Sequence, residues 1–381
     1  MRIAHCADLH LGFRQFHRST SGGINQREVD VALAVRRAVD AIIAARVELV
    51  LIAGDVFHQV RPTNPAILEA DRQLRRLRAG LPDAPIVVIA GNHDSPKNVE
   101  TGSILPLFRA IDGVTVAWQD VQTLRVGDCL VTAVPHLALL EAQSFAPDPD
   151  VPHNVLCIHG ATPGLAGGSG VTGPAADVDW STAADSPWSY IALGDYHVAH
   201  AVRPNAWYSG SLECVSTNPW GELRERPAKG WLLVELTDGP PIVTFQPVAT
   251  RPFRDLPPAD VATAEALNAR LHALTPDDVA GQVVRLVVPA LPRSERAAID
   301  HEHVRALKAA ALDFRLDLRS ATRTVDQRVA AGLDRRLSLD ELVAQALDRR
   351  CATWAPEQAA RMHELADAYL HEADAPAEAL P

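Results

Sequence analysis

Apolar and polar residues alternate in blocks along the first 250 residues of the chain. Apolar runs bounded by polar loops predict five buried β-strands, at residues 2–7, 48–53, 84–90, 155–158 and 190–193. Between the first three runs, apolar residues recur at helical spacing over about 28–45 and 64–79. Alternating strands and helices are typical of an α/β fold with a parallel sheet, and we expect this fold class for the N-terminal part.

Further short segments of β-like composition follow the third strand. They lie at 114–118, 121–126, 129–134, 199–208, 230–236 and 242–249. Gly127 and Asp128 suit a hairpin turn between two of these segments. They predict a second sheet, and we expect residues 1–250 to form one domain that closes near Pro252.

The pattern changes beyond Pro252. We expect a helix at 260–274, a strand at 282–289, a helix at 294–311 and a strand at 314–319, which together form a small α/β domain over 251–322. Residues 323–381 are predicted to be helical, with one helix over Leu339–Asp348 and a second over about 356–370. The first of these begins with a capping box, Ser338 to Glu341.

Polar side chains follow each of the five buried strands where the strand ends. Aspartate, asparagine and histidine recur there, at Asp8, His10, Asp55, Asn92, His159, Asp195 and His197. Carboxylate, amide and imidazole groups form a nitrogen and oxygen ligand set that suits manganese, magnesium or iron better than zinc. A single strand-end aspartate is usually a turn or helix cap, but seven such residues together predict a site for two metal ions. His93 stands beside Asn92, with its imidazole left to meet the substrate.

Composition narrows the class of protein. The chain has 381 residues, of which 47% are hydrophobic and 22% charged, as in ordinary soluble globular proteins. No apolar run is long enough to span a membrane, and residues 2–7 already read as a core strand without an export signal before them. We therefore expect a cytoplasmic protein without a membrane span. The five cysteines are scattered, and we expect buried thiols rather than disulfides.

Charge argues at first against a nucleic-acid partner, because the formal net charge is −11. Metal ions would neutralise several of the acids, however, and local potential matters more than the total. Arg14 and Arg18 lie in the polar loop after the first strand and are candidates for binding the substrate phosphate. A second group of arginines, at 72–78, fits a solvated helix face equally well.

These motifs resemble those of the calcineurin-like metallophosphoesterases. The shared elements are Asp8-x-His10, Gly54-Asp55, Gly91-Asn92-His93-Asp94, His159 and Gly194-x-x-His197. The start of the chain, and Tyr208-Ser-Gly-Ser-Leu-Glu213 followed by Lys229-Gly230, resemble the SbcD-type DNA repair exonucleases. One position departs from the family pattern: Asp195 stands where the family usually has histidine.

The resemblance implies a four-layer α/β/β/α sandwich, with residues 251–322 as a capping domain and 323–381 as helices that bind a coiled-coil ATPase of the SbcC type. It implies a first metal held by Asp8, His10, Asp55 and His197, and a second held by Asp55, Asn92, His159 and Asp195, with His93 as the catalytic histidine. The expected cofactors are two divalent ions, manganese first and magnesium or iron as alternatives. A homodimer is a further expectation.

The implied function is a metal-dependent DNA exonuclease or endonuclease in DNA repair, in which an activated water attacks phosphorus. Two other functions stay open: a phosphoesterase for a small molecule or another non-DNA ester, and a scaffold with a weakened metal site.

Overall fold

The structure is a computed structural model. It describes residues 1–96, 102–141, 145–162, 187–319, 339–351, 354 and 358–366. Helices, numbered α1 to α8 in chain order, span Gln26–Ala45, Asn64–Gly80, His136–Leu140, Pro219–Glu225, Ala264–His272, Pro276–Val279, His301–Ala310 and Leu339–Cys351. Short 3-10 helices span Leu105–Ala110 and Arg293–Ala298, and residues 358–366 are also helical.

Strands, numbered in the same way, run from β1 to β15. They span Arg2–Cys6, Leu49–Ala53, Ile86–Ile89, Val114–Ala117, Gln122–Val126, Cys129–Val134, His153–His159, Tyr190–Gly194, His200–Arg203, Ala206–Tyr208, Lys229–Glu235, Ile242–Val248, Phe253–Leu256, Val283–Val288 and Asp313–Leu318. The strands and the first two helices predicted from apolar periodicity are present, with ends shifted by at most two residues, except that the predicted strand at 199–208 is divided into β9 and β10.

Two mixed sheets form most of the structure. The first has the strand order β12-β11-β1-β2-β3-β4 and the second β5-β6-β7-β8-β10-β9. Strands β1 to β4 are parallel neighbours, and so are β6, β7, β8 and β10. The outer strands are antiparallel. A third sheet, β13-β14-β15, has three strands.

The two large sheets pack face to face. Apolar side chains from both sheets, such as Leu51 and Val87 from the first and Val155 and Ala192 from the second, form one buried cluster between them. A second cluster joins the other face of the first sheet to α1 and α2, and a third joins the outer face of the second sheet to α3. Helix, sheet, sheet and helix therefore lie in four layers, and the predicted fold class is confirmed.

A polar contact crosses the interface between the sheets at His5. The side chain is fully buried, and its Nε2 lies 3.2 Å from the carbonyl oxygen of Leu193, which can only accept. Nδ1 therefore accepts from the Tyr190 hydroxyl at 2.8 Å. Burial, opposed by the hydrogen bond to Leu193, lowers the pKa of His5 to about 3. A neutral histidine thus links β1 to β8 close to the strand ends.

The predicted helix at 294–311 is wrong in one respect, because it is interrupted. A 3-10 helix ends at Ala298, Ile299 is extended, and α7 starts at His301. Asp300 explains the break, since its side chain accepts a hydrogen bond from the backbone N–H of His303 and caps α7. The buried Ile299 side chain anchors the turn between the two helices.

The chain divides into two compact units. The first comprises Met1–Pro258, Asn268–Val287 and Asp300–Asp317, and the second comprises Ala259–Leu267, Val288–Ile299 and the described residues from Leu318 onward. The predicted domain boundaries at 250 and 322 stay predictions. Of the predicted C-terminal helices, α8 and 358–366 are described, whereas the capping box at Ser338 lies outside the described residues.

Two other properties concern the whole of the described chain. All five cysteines are free and buried, as expected. Among the described residues, no helix combines the length and apolar character that crossing a membrane requires.

Candidate metal centre

All seven predicted ligands lie where parallel strands of the two sheets end. Asp8 and His10 follow β1, Asp55 follows β2, Asn92 follows β3, His159 ends β7, and Asp195 and His197 follow β8. The carboxyl ends of parallel strands meet at one edge of a sheet, which is where α/β proteins place their ligand sites. The face-to-face packing brings two such edges together.

The first ligand group comprises Asp8, His10, Asp55 and His197. The Nε2 atoms of His10 and His197 are 3.1 Å apart, and His10 Nε2 is 3.5 Å from Asp55 Oδ2. Ligand atoms of Asp8, His10 and His197 all lie within 4.8 Å of one another. All four side chains are buried.

The second ligand group comprises Asp55, Asn92, His159 and Asp195. His159 Nε2 lies 3.2 Å from Asn92 Oδ1, 3.5 Å from Asp55 Oδ1 and 3.7 Å from Asp195 Oδ1. The two oxygens of Asp55 thus face different groups, Oδ2 the first and Oδ1 the second. This is the arrangement of a carboxylate that bridges two ions.

One imidazole in each group is oriented through its Nδ1 atom. His159 Nδ1 donates to the carbonyl oxygen of Ala53 at 2.8 Å, and His197 Nδ1 donates to the Glu222 carboxylate at 3.2 Å. With Nδ1 protonated in both rings, Nε2 is the nitrogen that can bind a metal ion.

The backbone at the strand ends is strained. Asp8, His10, Asp55 and Asp195 have φ angles of 53°, 46°, 50° and 100°, in a region that residues other than glycine rarely occupy. Such conformations cost of order 1–3 kcal/mol each and cluster at functional sites. The surrounding fold holds these four residues in place against that cost.

Two glycines allow the sheets to approach at this edge. A Cβ atom on Gly54, where φ is +92°, would lie 2.1 Å from Nδ1 of His159. A Cβ atom on Gly194 would lie 1.8 Å from the carbonyl oxygen of Ala53. The hydrogen bond between His159 and Ala53 therefore requires glycine at both positions.

Burial dominates the electrostatics of the centre. Desolvation raises the pKa of Asp8 and raises that of Asp55 well above its ordinary value. Burial, reinforced by neighbouring histidines, lowers the pKa of His10 well below 6.5. Burial also lowers that of His159, but the carboxylates of Asp55, Asp195 and Asp8 outweigh it and raise the pKa to about 9. Three carboxylates of the centre therefore face one imidazole, that of His159, and favour its protonated form.

Two further observations test whether divalent cations fit here. The Oδ2 atoms of Asp8 and Asp195 are buried without a hydrogen-bond partner, which is costly for carboxylate oxygens. The Nε2 atoms of His10 and His197 face each other at 3.1 Å, although a pair of neutral imidazoles with protonated Nδ1 atoms would present two lone pairs there. Cations among these atoms would satisfy both features, so the residues fit divalent metal ions.

Comparison with known proteins agrees with this geometry. Residues 1–227 match the model of the calcineurin-like phosphoesterase family. The chain belongs to the calcineurin-like phosphoesterase family. This membership confirms the predicted family and the predicted class of enzyme, a phosphoesterase.

Curated relatives of the chain are named as DNA repair proteins. The DNA double-strand break repair protein Mre11 of Haloferax volcanii is 30% identical over 264 residues, which cover 66% of this chain and 53% of that protein. Mre11 of Methanococcus maripaludis is 34% identical over 113 residues, or 30% of this chain and 28% of that protein. Mre11 of Saccharolobus solfataricus is 23% identical over 372 residues, which cover 92% of this chain and 90% of that protein.

These relatives confirm the resemblance to DNA repair nucleases. The aligned part spans about half the length of the Haloferax protein and less of the Methanococcus one.

His93 lies beside both predicted ligand groups, and ring nitrogens of His10, His58 and His93 all lie within 4.8 Å of one another. Its backbone N–H donates to Asp55 Oδ1 at 2.9 Å, and its Nδ1 donates to the carbonyl oxygen of His58 at 2.8 Å. Any contact with a substrate would therefore use Nε2. Burial lowers the pKa of His93, and the hydrogen bond to the carbonyl oxygen of His58 opposes this effect.

His58 belongs to the site but was not predicted from the sequence. Its ring stacks on His93 with centroids 5.2 Å apart, and its Nδ1 is 3.2 Å from Nδ1 of His10. Burial and the neighbouring His93 lower its pKa to about 4. The only sequence signal was its position three residues after Asp55, since no apolar strand leads directly into it.

Arg14 and Arg18 make contacts within the protein. Arg14 pairs with Glu28 at 2.8 Å, and its side chain is 56% exposed. Arg18 donates to carbonyl oxygens at the C-terminal end of α7, including that of Ala311 at 3.0 Å. The prediction that these two arginines bind substrate stays a prediction.

Proposed function

We propose that the chain hydrolyses phosphodiester bonds of DNA and serves in DNA repair as the nuclease subunit beside an SbcC-like coiled-coil ATPase. One observation carries the proposal: ligands from five strand ends converge on one buried centre in which Asp55 faces two groups of donors. The Mre11 relatives, which are named for double-strand break repair, support DNA as the substrate.

In this proposal the first ligand group holds one divalent cation and the second ligand group holds another. Manganese is the first choice, with magnesium or iron as alternatives, because the donors are carboxylate, amide and imidazole groups. Such cations lower the pKa of water and stabilise charge on phosphoryl oxygens. Asp195 makes the second group more anionic than a histidine would.

The chain's own side chains position the reactants. Asp55 would contribute one oxygen to each cation, since its Oδ2 faces His10 and its Oδ1 faces His159. In its doubly protonated form, His93 orients the phosphate or protonates the leaving oxygen through Nε2–H, while Nδ1–H stays bonded to the carbonyl oxygen of His58. The His58 ring stacks on the His93 ring and limits its rotation.

The helices after residue 322, of which α8 and 358–366 are described, are proposed to bind the ATPase. We propose a second copy of the chain as a further partner and the cytoplasm as the compartment. Deleting residues 323–381 should spare hydrolysis of a small diester, because no ligand lies there, and should abolish co-purification with the ATPase. Retained binding by the shortened chain would refute this assignment.

A small-molecule phosphoesterase is the second candidate function. Two observations favour it: the net charge of −11 would repel DNA, and Arg14 and Arg18 make contacts within the protein. Exonuclease and endonuclease activity are both compatible with the proposed centre.

The test compares two substrates. The purified chain with Mn²⁺ should hydrolyse bis-p-nitrophenyl phosphate and a blunt DNA duplex, and a chelator should abolish both reactions. Activity that survives complete metal removal would contradict the metal centre. Hydrolysis of the small diester alone, with the ATPase present, would favour the second candidate.

A further inference from the structure

Helix α4 carries a fully buried carboxylate toward the metal centre. Glu222 accepts from Nδ1 of His197 at 3.2 Å through one oxygen and from Nζ of Lys229 at 2.5 Å through the other. Glu222 is 0% exposed and Lys229 3%. A buried ion pair contributes little net stability once both charges are desolvated, so its presence calls for another reason.

Lys229 also contacts His197. Its Nζ donates to the carbonyl oxygen of His197 at 2.7 Å. The pair therefore holds this histidine at two points, Glu222 at the ring and Lys229 at the backbone. His159, the corresponding imidazole of the second ligand group, donates its Nδ1–H to a neutral backbone carbonyl instead.

The outer face of α4 is braced by the third sheet. The Trp220 ring packs edge to face on Phe253 at 6.0 Å between centroids, and the guanidinium of Arg285 lies 4.5 Å above the Trp220 ring. Arg285 in turn pairs with Asp255 at 2.6 Å. Glu222 therefore projects from a helix that is packed on both sides, as a group that sets the orientation of another residue requires.

A carboxylate that accepts from Nδ1 fixes which ring nitrogen carries the proton, and it raises the basicity of the other nitrogen as a ligand. In His197 the other nitrogen is Nε2, which faces Nε2 of His10 at 3.1 Å. We infer that Glu222, supported by Lys229, is a positioning residue for His197 and sets the affinity of the first ligand group for its cation without touching that cation.

The inference rests on the proposed metal centre and makes a selective claim. A salt bridge that only joins α4 to β11 would, when removed, loosen the fold and weaken both cation sites together. A positioning role concerns His197 alone, so its removal weakens one site.

Two double variants separate these roles without leaving a buried charge unpaired. Glu222→Gln with Lys229→Met removes the ion pair but keeps an acceptor for Nδ1 of His197. Glu222→Leu with Lys229→Met removes the ion pair and the acceptor. Glu69→Gln is a matched control, because Glu69 is a buried carboxylate paired with Arg36 on the α1 and α2 side of the first sheet.

Mn²⁺ binding to the full-length chain is measured by titration that resolves two sites. We expect the apolar double variant to bind one ion 10–100-fold more weakly, the usual effect of losing such a partner, and the other ion as in the wild type. The amide double variant should lose less affinity than the apolar one, since a neutral acceptor for Nδ1 of His197 remains, and Glu69→Gln should stay within about threefold of the wild type. Equal weakening of both sites, no weakening, or the same loss in both double variants would overturn the inference.

A second measurement does not depend on whether the variants fold. Nitrogen-15 NMR of the wild-type chain, with and without Zn²⁺, should show that Nδ1 of His197 carries a proton in both states. An unprotonated Nδ1 would overturn the inference. Failure of the proposed metal centre looks different, because the wild-type chain itself would then bind no ions. Failure of DNA as the substrate would leave these binding results unchanged.

Discussion

The two ligand groups differ in what holds their imidazoles. In the first, His197 depends on side chains, those of Glu222 and Lys229, which come from a separate helix and strand. In the second, His159 depends on the backbone carbonyl of Ala53, the last residue of β2, which leads into Asp55. The orientation of His197 can therefore be changed by substituting one side chain, whereas that of His159 depends on how closely the two sheets pack.

The groups also differ in their neutral donors. A histidine pair and two carboxylates make up the first group, and a single histidine, an amide and two carboxylates make up the second. Asp195 contributes one of those carboxylates, and its Oδ2 atom has no hydrogen-bond partner. We expect the second group to prefer a harder cation than a two-histidine set would.

The largest expected effect comes from the residue that the groups share. Asp55→Asn keeps the size of the side chain and an acceptor for His93 N–H but removes the bridging charge. Both Mn²⁺ sites should weaken together, and hydrolysis of the small diester should fall by on the order of 10⁴ or more, beyond the range of a positioned acid or base. Mn²⁺ titration and initial rates provide the measurement, with Asp71→Asn on α2 as the control. One site left at wild-type affinity would show that Asp55 does not bridge.

The next largest effect is expected for His93, which is assigned to the substrate and not to either ligand group. His93→Ala should lower the turnover rate by on the order of 10²–10⁴, because a positioned acid or base is removed. Both ions should stay bound, since His93 is assigned to the substrate. If Mn²⁺ affinity falls in step with the rate, His93 is a ligand and the assignment fails.

Asp195 allows the second group to be altered alone. Asp195→Ala should weaken the second ion by roughly 10²-fold or more, above the loss typical of an outer partner, and should leave the first ion in place. Asp195→His should keep both ions and change which metal supports the highest rate. Metal content and rates with Mn²⁺, Mg²⁺ and Fe²⁺ give the answer, and wild-type binding by Asp195→Ala would exclude Asp195 as a ligand.

The smallest effect concerns His5, which connects the strands that carry the two groups. Its pKa of about 3 in the folded chain is below the ordinary 6.5, so the unfolded chain takes up the proton first. This contribution to stability is fully present above about pH 6.5 and is lost as the pH falls toward 3, at about 1.4 kcal/mol per pH unit.

His5→Gln tests this relation, because the amide can contact Leu193 and Tyr190 but does not titrate. The free energy of unfolding is measured in urea from pH 8 to pH 5. Below pH 6.5 it should fall less steeply with pH in the variant, and the difference in slope should correspond to at most one proton taken up on unfolding. Above pH 7 the two curves should run parallel. Identical slopes throughout would mean that His5 is not buried as a neutral ring.

The strands and the ligands at their ends could be predicted because each carries a local pattern. A run such as 48–53 is apolar over its whole length, and Asp55 follows it directly. Parallel pairing then brings separate strand ends to one edge, so seven dispersed residues could be assigned to one centre before their distances were known.

Residues without such a pattern were missed. Helix α4 has seven residues, too few for a helical period to show, and Glu222 gains its role only from a contact with His197, 25 positions earlier. His58 lies in a loop, where the sequence does not indicate the direction of a side chain. The interruption at Asp300 was also missed. An aspartate that caps a helix cannot be told from one inside a helix when the surrounding residues continue the same pattern of polar and apolar positions.

Gly54 and Gly194 have a consequence for redesign. The gap between β2 and β8 is already filled by the ring of His159 and the carbonyl oxygen of Ala53, with no room for an added methyl group. If the two ligand groups hold cations as proposed, the close approach of these strands would limit how far the two cation sites can be separated by exchanging ligand side chains. An engineered enzyme for a bulkier reacting group would need a shift in the register of a whole strand, which would move every ligand on that strand together.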